Sequence, residues 1–293
     1  MINIIKLLTD SFESYKKNFR NIILMALPIF IISSIGAYYS VAMKTVQKSG
    51  DFANINIYYF IIAIVIYLIA MLFVGLFFVP AFNRAIQKNE DDKNFDVKSA
   101  YNFQKRNIWK WIKVNLWGLV YGAWRLLPYM VVSALLITSV ILLNVSKPES
   151  DVIVIIFAII ASIIMIVGMV LNITRFVFYK NVFFAKDHMK AKNTVIESMT
   201  LGKTKNLEIW KVIVSILLFS LMMFVLSIIL SAIAAFIIFS FGSKNFSIID
   251  IIISPMISAF MAIPVTLIII AKGYNKIRGH HHVVEHAEVI VEN

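Results

Sequence analysis

The C-terminal tail contains the residues whose spacing comes closest to a catalytic pattern. It reads RGHHHVVEHAEVIVEN, in which His282, Glu285 and His286 match the H-x-x-E-H spelling of an inverted zinc-protease motif. Two imidazoles one helical turn apart can bind zinc, and a glutamate beside them can act as general base. The segment offers no obvious third ligand or enclosing pocket, and it is rich in β-branched valine. We therefore interpret residues 280–293 as a solvated cytoplasmic tail, with adventitious metal binding as the alternative.

Two arginines suggest a second kind of chemistry, the binding of phosphate. Arg125 is the one charged residue of NLWGLVYGAWRLLPYMVV (115–132), and Arg175 follows an apolar run that begins at Val152. Guanidinium groups bind phosphate through a planar fork. About 18 apolar residues, or ~27 Å of helix, separate Arg125 from the next turn, which places it where the helix leaves the hydrocarbon. We predict that both arginines anchor the chain to lipid phosphate.

The alternative for Arg125 is a buried functional arginine that faces a polar cavity. The anchor is favoured because four of the five tryptophans lie at or upstream of this point, and tryptophan gathers at membrane interfaces. They are Trp109, Trp111, Trp117 and Trp124. We therefore predict that 101–124 lies largely along the inner interface and that Pro128 helps to bend the chain inward.

Motifs for enzymatic chemistry are otherwise missing from the sequence. It contains no Walker motif, no G-x-S-x-G and no cofactor fingerprint. It has no cysteine, which excludes a disulfide framework, a thiolate metal site and a cysteine nucleophile. We therefore expect a protein that is not an enzyme and that holds no cofactor and no metal.

The elements that carry these residues are membrane spans. Hydrophobic residues make up 60% of the 293, and only 15% are charged, against about 25% in a soluble domain. The apolar residues form runs long enough for bilayer-spanning helices, which need ~20 residues each. We predict an all-α polytopic membrane helix bundle with spans at roughly 21–43, 57–82, 126–143, 152–174, 212–241 and 248–271.

The basic residues predict how these spans are oriented. Of the 28 Lys and Arg residues, 23 lie in segments that alternate crossings place on one side, four lie on the other side, and Arg125 is the remaining one. The positive-inside bias then places both termini in the cytoplasm. The net charge of +12 is therefore attributed to contact with an anionic inner leaflet and not to nucleic acid. The abundance of Ile, Lys and Asn is typical of an AT-rich bacterial genome.

A threefold repeat organises the predicted spans. Spans 1, 3 and 5 are preceded by SFESYKKNFRNIILM, SAYNFQKRNIWKWIKV and SMTLGKTKNLEIWKVIV, whose central asparagines are Asn18, Asn107 and Asn206. Each unit would be a basic amphipathic helix followed by a hairpin of two spans. We predict units of about 1–84, 95–175 and 190–272 within one membrane domain, 1–279. The alternative is that any helix entering a membrane from the cytoplasm looks basic and amphipathic.

Small residues at every fourth position mark the last two spans. They are Ser227, Ser231 and Ala235 in span 5, and Ser254, Ser258 and Ala262 in span 6. This spacing lets helix backbones approach closely, so we predict a packing seam between the two helices. The alternative is a polar stripe that lines a pore.

Several stretches resemble a known family. FYKNVFFAKDHMKAKNTVIESMTLGKTKNLEIWKV (178–212), the WRLLP before it and a Pro-containing last span that ends in AKGYNKI are similar to a bacterial six-helix family, whose stand-alone members are largely uncharacterised. That family is related to the membrane domain of glycerophosphoryl diester phosphodiesterases. The resemblance covers most of 95–277 and implies a six-helix membrane fold. The chain departs from the two-part enzymes because it has no room for a catalytic barrel.

These observations favour an accessory or interaction protein of envelope, stress or export processes in the cytoplasmic membrane. Its partners would be the lipids of the anionic inner leaflet and a membrane protein. The alternative is a transporter or permease subunit for a small or lipid-like solute. A hydrated cavity lined by Asn172, Ser227 and Ser258 would favour the transporter, because polar groups inside a membrane mark transport paths.

Overall fold

The computed structural model describes residues 2–49, 57–92, 95–146, 151–186, 188–240 and 249–291. Nearly all of these residues are helical and none of them lies in a β-strand, which confirms the all-α prediction. The α-helices are α1 (Ile4–Lys17), α2 (Phe19–Ser49), α3 (Ile57–Phe73), α4 (Val79–Asp92), α5 (Val97–Ser146), α6 (Asp151–Phe176), α7 (Tyr179–Ala185), α8 (Ala191–Thr204), α9 (Asn206–Ser240), α10 (Ser254–Ile257) and α11 (Ile263–Val291). Single π-helical turns occupy Val74–Phe78, Ile249–Ile253 and Ser258–Ala262.

Six helical stretches of the described chain are long and apolar enough to cross a membrane, as predicted. They are Phe19–Lys44, Ile61–Glu90, Val97–Ser139, Ile155–Ala185, Asn206–Ser240 and Ile251–Gly279. Large apolar side chains along them remain exposed, and the most hydrophobic window of the second stretch buries none of its residues. Apolar surface on this scale requires lipid around it. The chain is therefore a multi-pass membrane protein.

Close contacts divide the chain into two compact units. The first contains residues 1–108 and 211–293, and the second contains 109–210. The division falls inside α5 and inside α9, so it does not follow the boundaries of the predicted repeat units. The repeat stays a prediction.

The first amphipathic helix is a separate element, as its sequence suggests. The side chain of Asn3 accepts a hydrogen bond from the Lys6 N–H and caps the N-terminus of α1. Lys16 and Lys17 stand in the last turn, where positive charge is favoured by the helix dipole. The helix ends at Asn18, and α2 begins one residue later. Leu7, Ser11 and Tyr15 form its buried face.

The middle amphipathic segment is not separate from its span. Helix α5 runs without interruption from Val97 to Ser146 and carries Pro128 in its interior. The third amphipathic segment is again distinct, because α8 ends at Thr204 before α9 begins at Asn206. The predicted course of 101–124 along the inner interface stays a prediction.

In the first unit, the segments that precede spans 1 and 3 each donate a side-chain hydrogen bond to a backbone carbonyl in a π turn. The Tyr15 hydroxyl donates to the Phe260 carbonyl at 2.8 Å, and Gln104 Nε2 donates to the Leu76 carbonyl at 2.7 Å. A π turn replaces the i→i+4 hydrogen bond with an i→i+5 bond and so leaves a carbonyl without its usual partner. A side-chain donor satisfies such a carbonyl. Each donor lies three residues before its central asparagine, Asn18 or Asn107.

Candidate functional site

Helices α5 and α6 of the second unit meet beside the predicted arginines. A Cβ atom on Gly168 of α6 would lie 2.5 Å from Cγ of Tyr129 on α5, so only glycine leaves room for this ring. One further hydrogen bond links the same helices, from Ser133 Oγ to the Ala161 carbonyl at 3.1 Å. Both serine and glycine are typical of close helix contacts in membranes.

Helix α8 fixes the backbone that carries Arg175. A Cβ atom on Gly202 would lie 2.5 Å from Cα of Arg175 and 2.8 Å from the Thr174 carbonyl oxygen. Ser198 Oγ donates to the Arg175 carbonyl at 3.0 Å. Helix α8 therefore packs directly on the backbone at the end of α6, and a side chain on residue 202 would separate them.

A cavity of about 560 Å³ lies between these helices. Its walls are formed by Tyr121, Trp124, Arg125, Pro128, Tyr129, Leu171, Asn172, Arg175 and Met199. The structure thus brings both predicted phosphate-binding arginines into one cavity, 50 positions apart in the sequence. Both side chains are half-buried.

Among the described residues, the two guanidinium groups are the only charged groups on the walls of this cavity. Neither forms an ion pair or a hydrogen bond within the part of the chain that the structure describes. Arginine keeps its proton at any physiological pH. The cavity therefore carries two positive charges that no carboxylate of the described chain neutralises.

The rest of the wall is apolar, aromatic or already hydrogen-bonded. Trp124 is 73% exposed and Leu171 is 44% exposed, so the edge of the cavity continues into the apolar surface of the spans. Asn172 is buried and its Nδ2 donates to the Gly168 carbonyl at 2.9 Å. A cationic site beside an apolar edge can bind a molecule that has an anionic head and an apolar body.

An aromatic cluster supports α7, the short helix after α6. Trp111 stacks on Phe184 with 5.3 Å between ring centroids, and Phe183 packs against both. The Tyr179 hydroxyl donates to Asn115 Oδ1 at 3.0 Å. Trp111 is only 5% exposed, so its ring packs against protein. Trp109 is largely exposed, like Trp124.

A second polar cavity, of about 370 Å³, belongs to the first unit. Glu90 is central to it: its side chain is 7% exposed, its Oε2 pairs with Lys272 Nζ at 2.8 Å, and its Oε1 accepts a hydrogen bond from Ser14. A more exposed ion pair joins Lys276 to Asp10 at 3.4 Å. These contacts tie α1 to α4 and α11.

Sequence reasoning missed this network, although a signal was present. The triplets Phe82-Asn83-Arg84 and Tyr274-Asn275-Lys276 are both aromatic–Asn–basic, and both aromatic rings are fully buried. Helices α4 and α11, which carry them, pack together and share a hydrogen bond from Gln87 Nε2 to Asn275 Oδ1 at 2.8 Å. Comparing the two triplets would have indicated a packed pair of helix ends.

The six residues of the predicted seam do not form one buried surface. Ser254 and Ser258 are exposed, whereas Ser227, Ser231, Ala235 and Ala262 are half-buried. The close partner of α10 and its two flanking π turns is α2, with Phe30 and Phe260 at 5.1 Å between ring centroids. The seam between spans 5 and 6 stays a prediction.

The side chains of His282, Glu285 and His286 lie outside the described residues. Among the side chains that are described, no group of three or more His, Cys, Asp or Glu residues is placed to hold a metal ion.

The arrangement around Arg125 and Arg175 is suited to recognition. It supplies two fixed cations, aromatic faces and an apolar edge, and no general acid or base other than two tyrosine hydroxyls lines it. Comparison with protein-family models, with curated proteins and with solved structures finds no match for this chain.

Proposed function

We propose that this protein is a non-enzymatic component of the cytoplasmic membrane that binds the phosphate of an anionic lipid between Arg125 and Arg175. It would act as an accessory or interaction protein in an envelope, stress or export process. One observation carries the proposal: two guanidinium groups that have no partner among the described residues share a cavity with an exposed apolar edge. Guanidinium–phosphate pairs are among the stronger charge-assisted hydrogen bonds.

The distribution of charge supports an orientation with both termini in the cytoplasm. The 23 to four division of Lys and Arg supports an inner-leaflet position for Arg175, at the end of α6, and for Arg125, inside α5. Anionic lipids are enriched in that leaflet. The relation to the membrane domain of glycerophosphoryl diester phosphodiesterases is part of the same proposal, since it implies a six-helix membrane fold.

Cysteine labelling tests the orientation. The chain contains no cysteine, so Ser146→Cys, at the end of α5, would provide a single thiol. We expect a membrane-impermeant maleimide to label it in intact cells. Labelling that occurs only after lysis would contradict the orientation.

Lipid retention tests the binding site. Native mass spectrometry of the purified full chain should show an anionic phospholipid that survives detergent exchange. The double variant Arg125→Gln, Arg175→Gln should lose it, because neither amide can replace the charged fork. The double variant with lysine at both positions should retain part of it, since lysine also reaches lipid phosphate.

Arg106→Gln is the matched control, because Arg106 is an exposed arginine of the same helix that does not line the cavity. If the glutamine double variant retains as much lipid as Arg106→Gln, the cavity is not the binding site.

A transporter for a lipid-like solute is the second candidate. It is favoured by the buried Asn172 on the cavity wall, but neither Ser227 nor Ser258 lines that cavity. Proteoliposomes that move a fluorescent phospholipid between leaflets faster than protein-free vesicles, with the rate abolished by Asn172→Leu, would place transport first.

A further inference from the structure

We infer that the lipid bound between Arg125 and Arg175 carries a phosphomonoester, a terminal phosphate with three free oxygens, in preference to the phosphodiester of common anionic lipids. The inference rests on the proposed function and adds the class of head group.

The charge of the cavity favours a dianion. The walls carry two guanidinium charges and no carboxylate, and no ion pair within the described chain compensates them. A phosphodiester supplies one negative charge and leaves one guanidinium without a counter-charge. A phosphomonoester carries about −1.5 to −2 at pH 7, which matches two guanidiniums. A half-buried unpaired charge is costly, so the better match binds more tightly.

The number of donors leads to the same head group. Each guanidinium presents a planar fork of N–H groups that engages two acceptor oxygens at once. Two forks therefore need more than the two unesterified oxygens of a phosphodiester if each is to bind in a bidentate manner. A phosphomonoester presents three such oxygens, so both arginines can be bidentate while sharing only one oxygen.

The edge of the cavity indicates a lipid and not free phosphate. Trp124 and Leu171 combine a position on the cavity wall with large exposed apolar surface, and Met199 adds a further apolar wall. Inorganic phosphate has nothing to bury against these side chains. The acyl chains of a lipid can bury apolar surface against them, and this burial stabilises the complex by roughly 25 cal/mol for each Å² removed from water.

The pH dependence of binding follows from the ligand alone. Besides the two arginines, the titratable groups on the walls are Tyr121 and Tyr129, and α5, α6 and α8 contribute no His, Lys, Asp or Glu to them. A phosphomonoester gains its second charge near a pKa of about 6. Its binding should therefore strengthen from pH 5 to pH 8, whereas a phosphodiester remains a monoanion over that range.

The experiment compares two lipids with identical acyl chains in nanodiscs of neutral phosphatidylcholine that hold the full chain. Phosphatidate is the phosphomonoester and phosphatidylglycerol is the phosphodiester. Retention of each lipid is counted by native mass spectrometry after competition at pH 5 and at pH 8. We expect about a tenfold preference for phosphatidate at pH 8, equivalent to ~1.4 kcal/mol, and a much smaller preference at pH 5.

The variants separate this inference from the proposed function. Arg175→Gln should abolish the preference at pH 8 and leave weak binding of both lipids, whereas Arg106→Gln should keep the preference. Equal binding of both lipids at pH 8, or a preference that does not change with pH, would overturn the phosphomonoester and leave the lipid-binding function standing. Binding of neither lipid would overturn both. Displacement of phosphatidate by an equal concentration of glycerol 3-phosphate would show that the ligand is a soluble phosphate.

Discussion

The contact between Gly202 and the backbone of Arg175 predicts a strong effect for the smallest substitution, Gly202→Ala. The new methyl group would lie 2.5 Å from Cα of Arg175 and 2.8 Å from the Thr174 carbonyl oxygen. Both atoms belong to the backbone of α6, so neither can rotate away. Helix α8 must then move outward, and the hydrogen bond from Ser198 to the Arg175 carbonyl is lost.

The size of the effect follows from three contributions. Overpacking costs up to ~3 kcal/mol, and the lost hydrogen bond costs about 1 kcal/mol. Alanine is favoured over glycine inside a helix by roughly 1 kcal/mol, which offsets part of this cost. We expect Gly202→Ala to lower the free energy of unfolding by about 2–3 kcal/mol.

Gly122→Ala is the matched control. Gly122 also lies inside a helix of the second unit, and a Cβ atom there would meet nothing within 4 Å. It should leave stability unchanged or raise it by up to ~1 kcal/mol. Unfolding in mixed micelles, followed by tryptophan fluorescence, gives both values, and lipid retention should fall only in Gly202→Ala. If the two variants unfold alike, the close approach of α8 to α6 is wrong.

Three further predictions concern the first unit. Glu90→Gln should destabilise the protein by roughly 3 kcal/mol because it leaves the half-buried Lys272 without its counter-charge. Asp10→Asn, in the more exposed pair, should cost less than ~1 kcal/mol, and similar unfolding energies for the two variants would contradict this ranking. Tyr15→Phe should cost about 1 kcal/mol at pH 7 by removing the hydrogen bond to Phe260. Burial raises the pKa of Tyr15 above 10.0, so its contribution is present below pH 10 and is lost as the pH rises through the folded-state pKa; the difference between wild type and Tyr15→Phe should then shrink in alkaline unfolding curves. Ser258→Leu should change stability by less than ~0.5 kcal/mol because Ser258 is exposed, and a loss of ~1–3 kcal/mol would instead favour the seam with span 5.

The spans could be predicted from the sequence because a helix that crosses a bilayer has one simple requirement, a run of about 20 apolar residues. The predicted span at 212–241 lies within one residue of the helical stretch Asn206–Ser240 at its C-terminal end. The arginines were also predicted as a pair, since counting apolar residues from the predicted loop between spans 3 and 4 gives Arg125 and Arg175 the same expected depth. Their shared cavity depends on Gly168 and Gly202, whose contacts no single-sequence pattern reveals.

The matching triplets 82–84 and 274–276 indicate that α4 and α11 pack together, but the pairing of Glu90 with Ser14 and Lys272 was not predictable for a different reason. Ser14, Glu90 and Lys272 come from three distant segments, and each is an ordinary residue for a polar helix end. Hydropathy assigns such segments to the membrane surface and says nothing about which of them meet. The π turns could not be predicted from the sequence either, because a one-residue change in hydrogen-bonding pattern leaves the apolar composition of a span unaltered.

The π turn at Val74–Phe78 sets the rotational phase of the helix that follows it. One residue corresponds to about 100° of rotation about a helix axis, so a single extra residue turns all later side chains by that amount. Before the turn, α3 exposes apolar side chains around its circumference; after it, α4 buries Phe82, Ile86 and Gln87, and Gln87 reaches Asn275 on α11. Deleting one residue from 74–78 would restore regular α-helical pairing and rotate these three side chains by about 100° relative to α3, which would take Gln87 away from Asn275. The length of segment 74–78 therefore determines which side chains of α4 face the protein, independently of which apolar residues the segment contains.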